Sequence, residues 1–115
     1  MTESNVSTPV DATPENFHDL VAEGTALVDV WGPRCRECLA LRPHVERIAA
    51  DRELRLVMLE APKARQVCVE LRVMAMPTLL LFVDGQEVGR VTGQDLTPAK
   101  VEEWLDAATA AAASG

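Results

Sequence analysis

Two cysteines stand three positions apart in the run Trp31-Gly32-Pro33-Arg34-Cys35-Arg36-Glu37-Cys38. The apolar run Thr25 to Trp31 before them reads as a buried strand, and Leu41, Val45, Ile48 and Ala49 after them mark one face of a long helix that begins near Cys35. The pair therefore falls at a helix start. The first turn of a helix carries unpaired backbone N–H groups and a partial positive charge. A thiol placed there is stabilised as its thiolate, the species that attacks disulfides. Arg34 and Arg36 add to that field and Glu37 opposes it. Cys38, one turn on, lies on the same face and within reach of the Cys35 sulfur. Such a pair can work in two steps: Cys35 attacks a substrate disulfide, then Cys38 attacks Cys35 and releases the reduced product. The same spacing occurs in zinc sites, for which Cys68, His18 and His44 are the remaining ligand candidates, with no second close pair. Burial in a core is the third reading of two thiols, and a helix start flanked by arginines is a poor place for it.

Other residues carry chemistry by type. Asp29 falls in the middle of the apolar strand. Burial there disfavours the carboxylate and raises its pKa, the logic of a poised acid–base group; a carboxyl that only bonds backbone is the plainer alternative. Cys68 shares a helical stripe with Val67 and Leu71, which reads as a buried structural thiol, the alternative being a regulatory thiol open to oxidation. His18 and His44 have polar neighbours and read as solvated. Met74 and Met76 precede Pro77, either as loop packing or as a soft substrate surface. Trp104 reads as core from its helical spacing.

The elements that must position these residues follow from periodicity. Thr13-Pro14 reads as a cap and first helical residue, with a helix over 14–22 and Gly24 beyond it. Pro43 interrupts the long helix. Leu54 to Leu59 is a second strand, so strand, helix and strand form a parallel unit with a right-handed crossover. Ala64, Val67, Cys68 and Leu71 mark a short helix, and Thr78 to Val83 a continuous apolar strand. Asp84-Gly85 is a tight-turn signal, after which Glu87 to Val91 alternates as an edge strand does. Thr97-Pro98 opens the last helix, whose core face holds Val101, Trp104, Leu105 and Ala108. The expected architecture is α/β: one central mixed sheet of four to five strands, with helices on both faces and room for a strand before the first helix. Residues 1–12 read as a flexible tail, 13–108 as the domain and 109–115 as an Ala-rich tail able to prolong the last helix.

Composition narrows the function. The chain has 115 residues, 48% hydrophobic and 25% charged, which suits one globular domain. Its net charge of −7 disfavours nucleic acid and anionic membranes as partners. No apolar run approaches the roughly 20 residues of a membrane span. Two Trp, two Phe and no Tyr make a poor base-stacking surface. The first residues lack a basic start and an apolar stretch, so they do not read as a signal peptide, and a cytoplasmic location is expected. Thiols stay reduced there, so a close pair points to catalysis or metal binding rather than to a structural disulfide.

With these elements in place the chain resembles the thioredoxin family over about residues 10–108. The cysteine pair beside a strand–helix–strand unit is itself a known signature of such redox proteins. Beyond it, Val28-Asp29-Val30-Trp31 matches the strand before the active site, and Pro43 the proline of the active-site helix. Met76-Pro77-Thr78 matches the cis-proline segment, Asp84-Gly85 the hairpin turn, and Gly93 the glycine beside the substrate groove. The resemblance implies a thioredoxin-like fold and a thiol–disulfide oxidoreductase that reduces protein disulfides. Cys35 would be the nucleophile, Cys38 the resolving thiol and Asp29 the carboxylate that handles its proton. Pro77 would be cis and present the Met76 backbone to substrate, with Trp31, Arg34, Arg36, Glu37 and Gly93 around it. A redox-active Cys35–Cys38 disulfide would serve, with no bound cofactor or metal. The implied partners are disulfide-containing proteins and a thioredoxin reductase or similar electron donor, the chain acting as a monomer.

The departures bear on tuning. Arg34 replaces the aromatic usual before the nucleophile, and Arg36-Glu37 replaces Gly-Pro between the cysteines. Residues at these places adjust the balance of thiol and disulfide. Met58 stands where the family often has a lysine near the buried carboxylate, so Asp29 loses a likely charge partner there, which would leave desolvation less opposed. A specialised redox sensor or partner-specific module is therefore the second expectation.

Overall fold

The computed structural model describes residues 8–114. Its elements are β1 (Val10–Asp11), α1 (Phe17–Leu20), β2 (Thr25–Trp31), α2 (Arg36–Asp51), β3 (Arg55–Glu60), a 3₁₀ turn (Ala61–Lys63), α3 (Arg65–Leu71), β4 (Thr78–Val83), β5 (Gln86–Thr92) and α4 (Pro98–Ser114). The strands form one mixed sheet in the order β1-β3-β2-β4-β5. β1, β3 and β2 run parallel, and β4 and β5 are antiparallel to their neighbours. The expected α/β architecture is thus the observed one, with five strands.

Side chains alternate across a strand, and the two faces of β2 illustrate what that does here. Val28 and Val30 join Phe17 of α1, Val67 and Cys68 of α3, and Leu80 and Phe82 of β4 in one core. Leu27 points the other way, into a core with Leu41, Val45 and Ile48 of α2 and Val101 and Leu105 of α4. Each fully buried Leu or Phe in these layers contributes about 1.5–3 kcal/mol of transfer free energy. Asp29 lies on the α2/α4 face of β2, opposite Met58 of β3 and Leu79 of β4. It is the one carboxylate in a row otherwise chosen for burial.

Several boundaries differ from the sequence reading for local reasons. The helix expected over 14–22 is only Phe17–Leu20. Thr13 and Asn16 instead close a turn on each other: Asn16 N donates to Thr13 Oγ1 at 3.1 Å, and Thr13 N to Asn16 Oδ1 at 2.6 Å. β3 starts one residue later than expected because the Leu54 N–H bonds back to Ala49 O at 2.8 Å, with Glu53 left-handed at φ 56°. At the start, Val10–Asp11 belong to the sheet and Ala12 N donates to Met58 O, so ordered structure begins inside the segment read as a tail. Residues 1–7 of that segment lie outside the described residues. At the other end α4 runs through the alanines to Ser114, with Thr97 Oγ1 capping it by accepting from Lys100 N. Pro43 falls inside α2, which continues past it to Asp51.

Candidate active site

β2 delivers the chain to Trp31, and a short turn leads into α2. Cys35 N donates to Gly32 O at 3.1 Å, and Leu39 N to Cys35 O at 3.1 Å. Cys35 is the N-cap of α2, with extended backbone (φ −93°, ψ 100°). A thiol replaces the usual hydroxyl or carboxylate cap: Cys35 Sγ accepts the Cys38 N–H at 3.1 Å. The two cysteines are joined in a disulfide, with Cα atoms 5.2 Å apart. Their exposure differs. Cys35 is partly open to solvent, whereas Cys38 is 2% exposed. An attacking group can therefore reach only the Cys35 sulfur, and that sulfur already sits against a helix N–H donor.

A groove of about 320 Å³ opens at Cys35, lined by Gly32, Pro33, Arg34, Pro62 and Met76. A Cβ at Gly32 would lie 3.2 Å from Met76 Cε and 3.3 Å from its Sδ, so any larger residue there would have to push the Met76 side chain aside. The Met76–Pro77 peptide bond is cis. The segment is pinned from β5. Thr92 Oγ1 donates to Pro77 O at 3.2 Å and Gly93 N to the same oxygen at 3.1 Å. Thr78 Oγ1 bonds Ala75 O and Thr92 Oγ1, each at 2.7 Å. Gly93 has φ 134°, a conformation that L side chains rarely adopt. The fold thus brings Arg34, Cys35 and Met76 around one groove and fastens Pro77 to Gly93. Met74 points away and is 91% exposed.

Not every residue expected at the groove lines it. Trp31 borders a separate cavity of about 580 Å³ with Arg42, Met58 and the segment Asp11 to Glu15. Glu37 faces a depression with His44, Gln94 and Thr97. Arg36 is exposed and, like Arg34, has no ion pair among the described residues.

Asp29 is 3% exposed, and burial pushes its carboxyl from 3.8 up to about 7. Arg42 of α2 opposes that rise and Glu46 adds to it. As expected, Met58 offers Asp29 no charge and burial remains the larger influence; the cation that opposes it comes from α2, not from β3. The Arg42 guanidinium lies over the Trp31 ring, 4.9 Å from its centroid, and pairs with Glu46 at 3.4 Å.

The remaining thiol behaves as core. Cys68 is free and buried against Val67, and burial pushes its thiol up. His18 is exposed and bonds Glu70 at 3.2 Å; His44 bonds Arg47 at 2.9 Å. Among the described residues no three His, Cys, Asp or Glu side chains gather where they could hold a metal ion. Four site neighbours escaped the sequence reading: Gly32, Pro33, Pro62 and Arg42. Arg42 had a local signal, since it stands four residues after Cys38 on the same helix face. Pro62 had none, because it reaches Cys35 only through the β2–β3 pairing.

Comparison with known proteins agrees with this geometry. The family model described as thioredoxin matches residues 8–107. Over 95 residues the chain is 33% identical to a thioredoxin of Acetoanaerobium sticklandii, covering 79% of this chain and 90% of that one. The fold superposes on a mutant thioredoxin from Halobacterium salinarum with a TM-score of 0.83 at 22% identity, covering 95% and 96% of the two chains. It also superposes on a chain of the complex of ferredoxin:thioredoxin reductase with thioredoxin f2, with a TM-score of 0.82 at 16% identity, covering 91% and 98%. A family match over most of the domain meets a cysteine pair already joined as a disulfide at a helix start, and the chain accordingly belongs to the thioredoxin family of thiol–disulfide oxidoreductases.

Proposed function

We propose that this chain acts as a reductant of protein disulfides, with Cys35 as nucleophile and Cys38 as resolving thiol. The observation that carries the reading is the unequal exposure of the pair, with Cys35 opening on the groove and Cys38 closed behind it. In the reduced protein the Cys35 thiolate attacks one sulfur of a substrate disulfide. A Cys35–substrate bond forms, the substrate S–S bond breaks, and the departing substrate thiolate takes up a proton. Cys38 gives its proton to the carboxylate of Asp29, and its thiolate attacks Cys35 Sγ. The mixed disulfide breaks and the second substrate thiolate leaves; the two substrate thiolates take up, through solvent, the proton Cys35 gave up on ionising and the one Asp29 then releases. Two electrons and two protons have then passed to substrate, and the Cys35–Cys38 disulfide remains. A carboxyl titrating near 7 is matched to that proton transfer at neutral pH.

The groove suits an extended chain. Met76 offers its backbone beside Cys35, Pro77 has no N–H to compete, and Gly93 leaves room next to it. Arg34 and Arg36 provide the charged rim. Trp31 acts at one remove, behind the cysteines, and Glu37 at the edge. The disulfide is returned to the dithiol by a reductase; one of the similar folds occurs in a complex of a thioredoxin with ferredoxin:thioredoxin reductase. A reducing cytoplasmic setting and a monomeric state fit this cycle. Among the described residues no helix is long and apolar enough to cross a membrane.

The test is a trap. Cys38→Ser should accumulate mixed disulfides with its partners and Cys35→Ser should not; the reverse would overturn the assignment. The second reading, a partner-specific module, draws on Arg36-Glu37 in place of Gly-Pro and on Arg34 in the aromatic's place. It is favoured if a generic protein disulfide is not turned over with a thioredoxin reductase and NADPH while a small dithiol still reduces Cys35–Cys38.

A further inference from the structure

Cys38, Arg42 and Glu46 follow one another at intervals of four along α2, so they share one row of its surface. Asp29 and Trp31 are two apart on β2 and share the face of the sheet that α2 covers. Two ladders thus lie against each other: thiol, guanidinium and carboxylate on the helix, carboxyl and indole on the strand. The guanidinium is seated. It lies 4.9 Å from the centroid of the Trp31 ring, and its Nε is 3.4 Å from Glu46 Oε2. Trp31 Nε1 is buried and has no hydrogen-bond partner among the described residues, so its stack with Arg42 is the polar contact described for that ring. The pairing partners of Asp29 in the sheet, Met58 and Leu79, carry no charge.

We propose that Arg42, held by Trp31 and Glu46, is a positioning residue that favours the carboxylate form of Asp29 against the burial that disfavours it. On the reading of Asp29 as the proton carrier for Cys38, Arg42 thereby shifts the pH range over which the exchange is completed. The charged groups facing Asp29 from α2 are Arg42, which favours the carboxylate, and Glu46, which disfavours it. β3 presents Met58 and β4 presents Leu79. The flank of α4 in the same core is apolar, through Val101 and Leu105. The adjoining cavity is also lined by Asp11 of β1 and by Glu15, both anions, and at its rim Glu60 and Lys63 pair with each other at 3.7 Å. Arg42 is therefore the cation placed to act on Asp29, and Glu46 tempers it. In a chain lacking a lysine on β3, the charge that limits the rise caused by burial is brought one turn along the active-site helix.

The experiment is a ¹³C-carboxyl NMR titration of Asp29 in the oxidised protein, where no thiol couples to it. The proteins are the native chain, Arg42→Met, Arg42→Lys and Glu46→Gln. Arg42→Met should move the Asp29 midpoint up by about half a pH unit or more. Arg42→Lys should restore it, and Glu46→Gln should move it down. The pH profile for release of substrate by Cys38, measured in a single turnover, should shift in the same order. A merely structural Arg42 would change stability in both Arg42 variants and leave the Asp29 midpoint where it was. An unmoved midpoint in both Arg42→Met and Glu46→Gln overturns the proposal. A midpoint that moves as expected upholds it, even where Asp29→Asn leaves the profile of product release unchanged; that result would remove Asp29 from the proton path instead.

Discussion

The burial of Asp29 makes a quantitative prediction about stability. Its carboxyl titrates near 7 in the folded chain against 3.8 when unconstrained. Between these values the unfolded state has lost a proton that the folded state keeps, so stability falls as pH rises. The contribution is fully present below 3.8 and lost on passing through 7. A separation of about 3 pH units corresponds to about 4 kcal/mol over the whole range. Most of the accessible part falls between pH 5 and pH 8 and amounts to roughly 3 kcal/mol. Asp29→Asn keeps the shape of the side chain and removes the titration. The assay is urea unfolding of the oxidised protein, with the disulfide intact, at pH 5, 6, 7 and 8 for both chains. The stability of Asp29→Asn relative to the native chain should rise with pH by about 2–3 kcal/mol across that interval. A difference flat to within about 0.5 kcal/mol would mean that Asp29 titrates as an ordinary carboxylate and would refute the reasoning from desolvation. A difference of opposite slope would mean that charge pairing, with Arg42 foremost, outweighs burial.

Further outcomes follow from the same geometry. Replacing both Arg34 and Arg36 with Gln removes two exposed cations beside the attacking sulfur, and alkylation of reduced Cys35 at neutral pH should slow about two- to threefold, as timed with iodoacetamide. The effect should shrink in high salt, since exposed charges are screened. Cys68 should resist the same reagent in the native protein and react on unfolding, because its thiol is buried and pushed up. Cys68→Ala should cost about 1 kcal/mol of stability by denaturant titration while leaving trapping by Cys38→Ser intact.

How much was legible beforehand can be judged element by element. β2 and β4 were read at their observed limits because each is a continuous apolar run bounded by turn residues. The start of α2 was legible because strand periodicity gives way to helix periodicity at the cysteines. The first helix was misjudged because a cap signal at Thr13 cannot reveal that Asn16 will answer it and close a turn. Cys68 was placed correctly because a stripe at helical spacing states which way a side chain points. The missing cation on β3 beside Asp29 was legible from Met58, whereas Arg42 was not, because it arrives from a helix packed across the sheet.

What the sequence determined by itself was the chemistry and its local frame: two thiols at a helix start, a carboxyl inside a buried strand and a proline opening another. These depend on neighbours within a few positions, where spacing alone dictates direction. What only the tertiary structure decided was who meets whom. The order β1-β3-β2-β4-β5 places Pro62 and Met76 beside Cys35, and the crossing of α2 over β2 sets Arg42 above Trp31. The same packing leaves Cys35 open and closes Cys38, although the two share one turn of helix. Such contacts join residues distant along the chain, and they are fixed by the burial of two apolar sheet faces rather than by any local pattern.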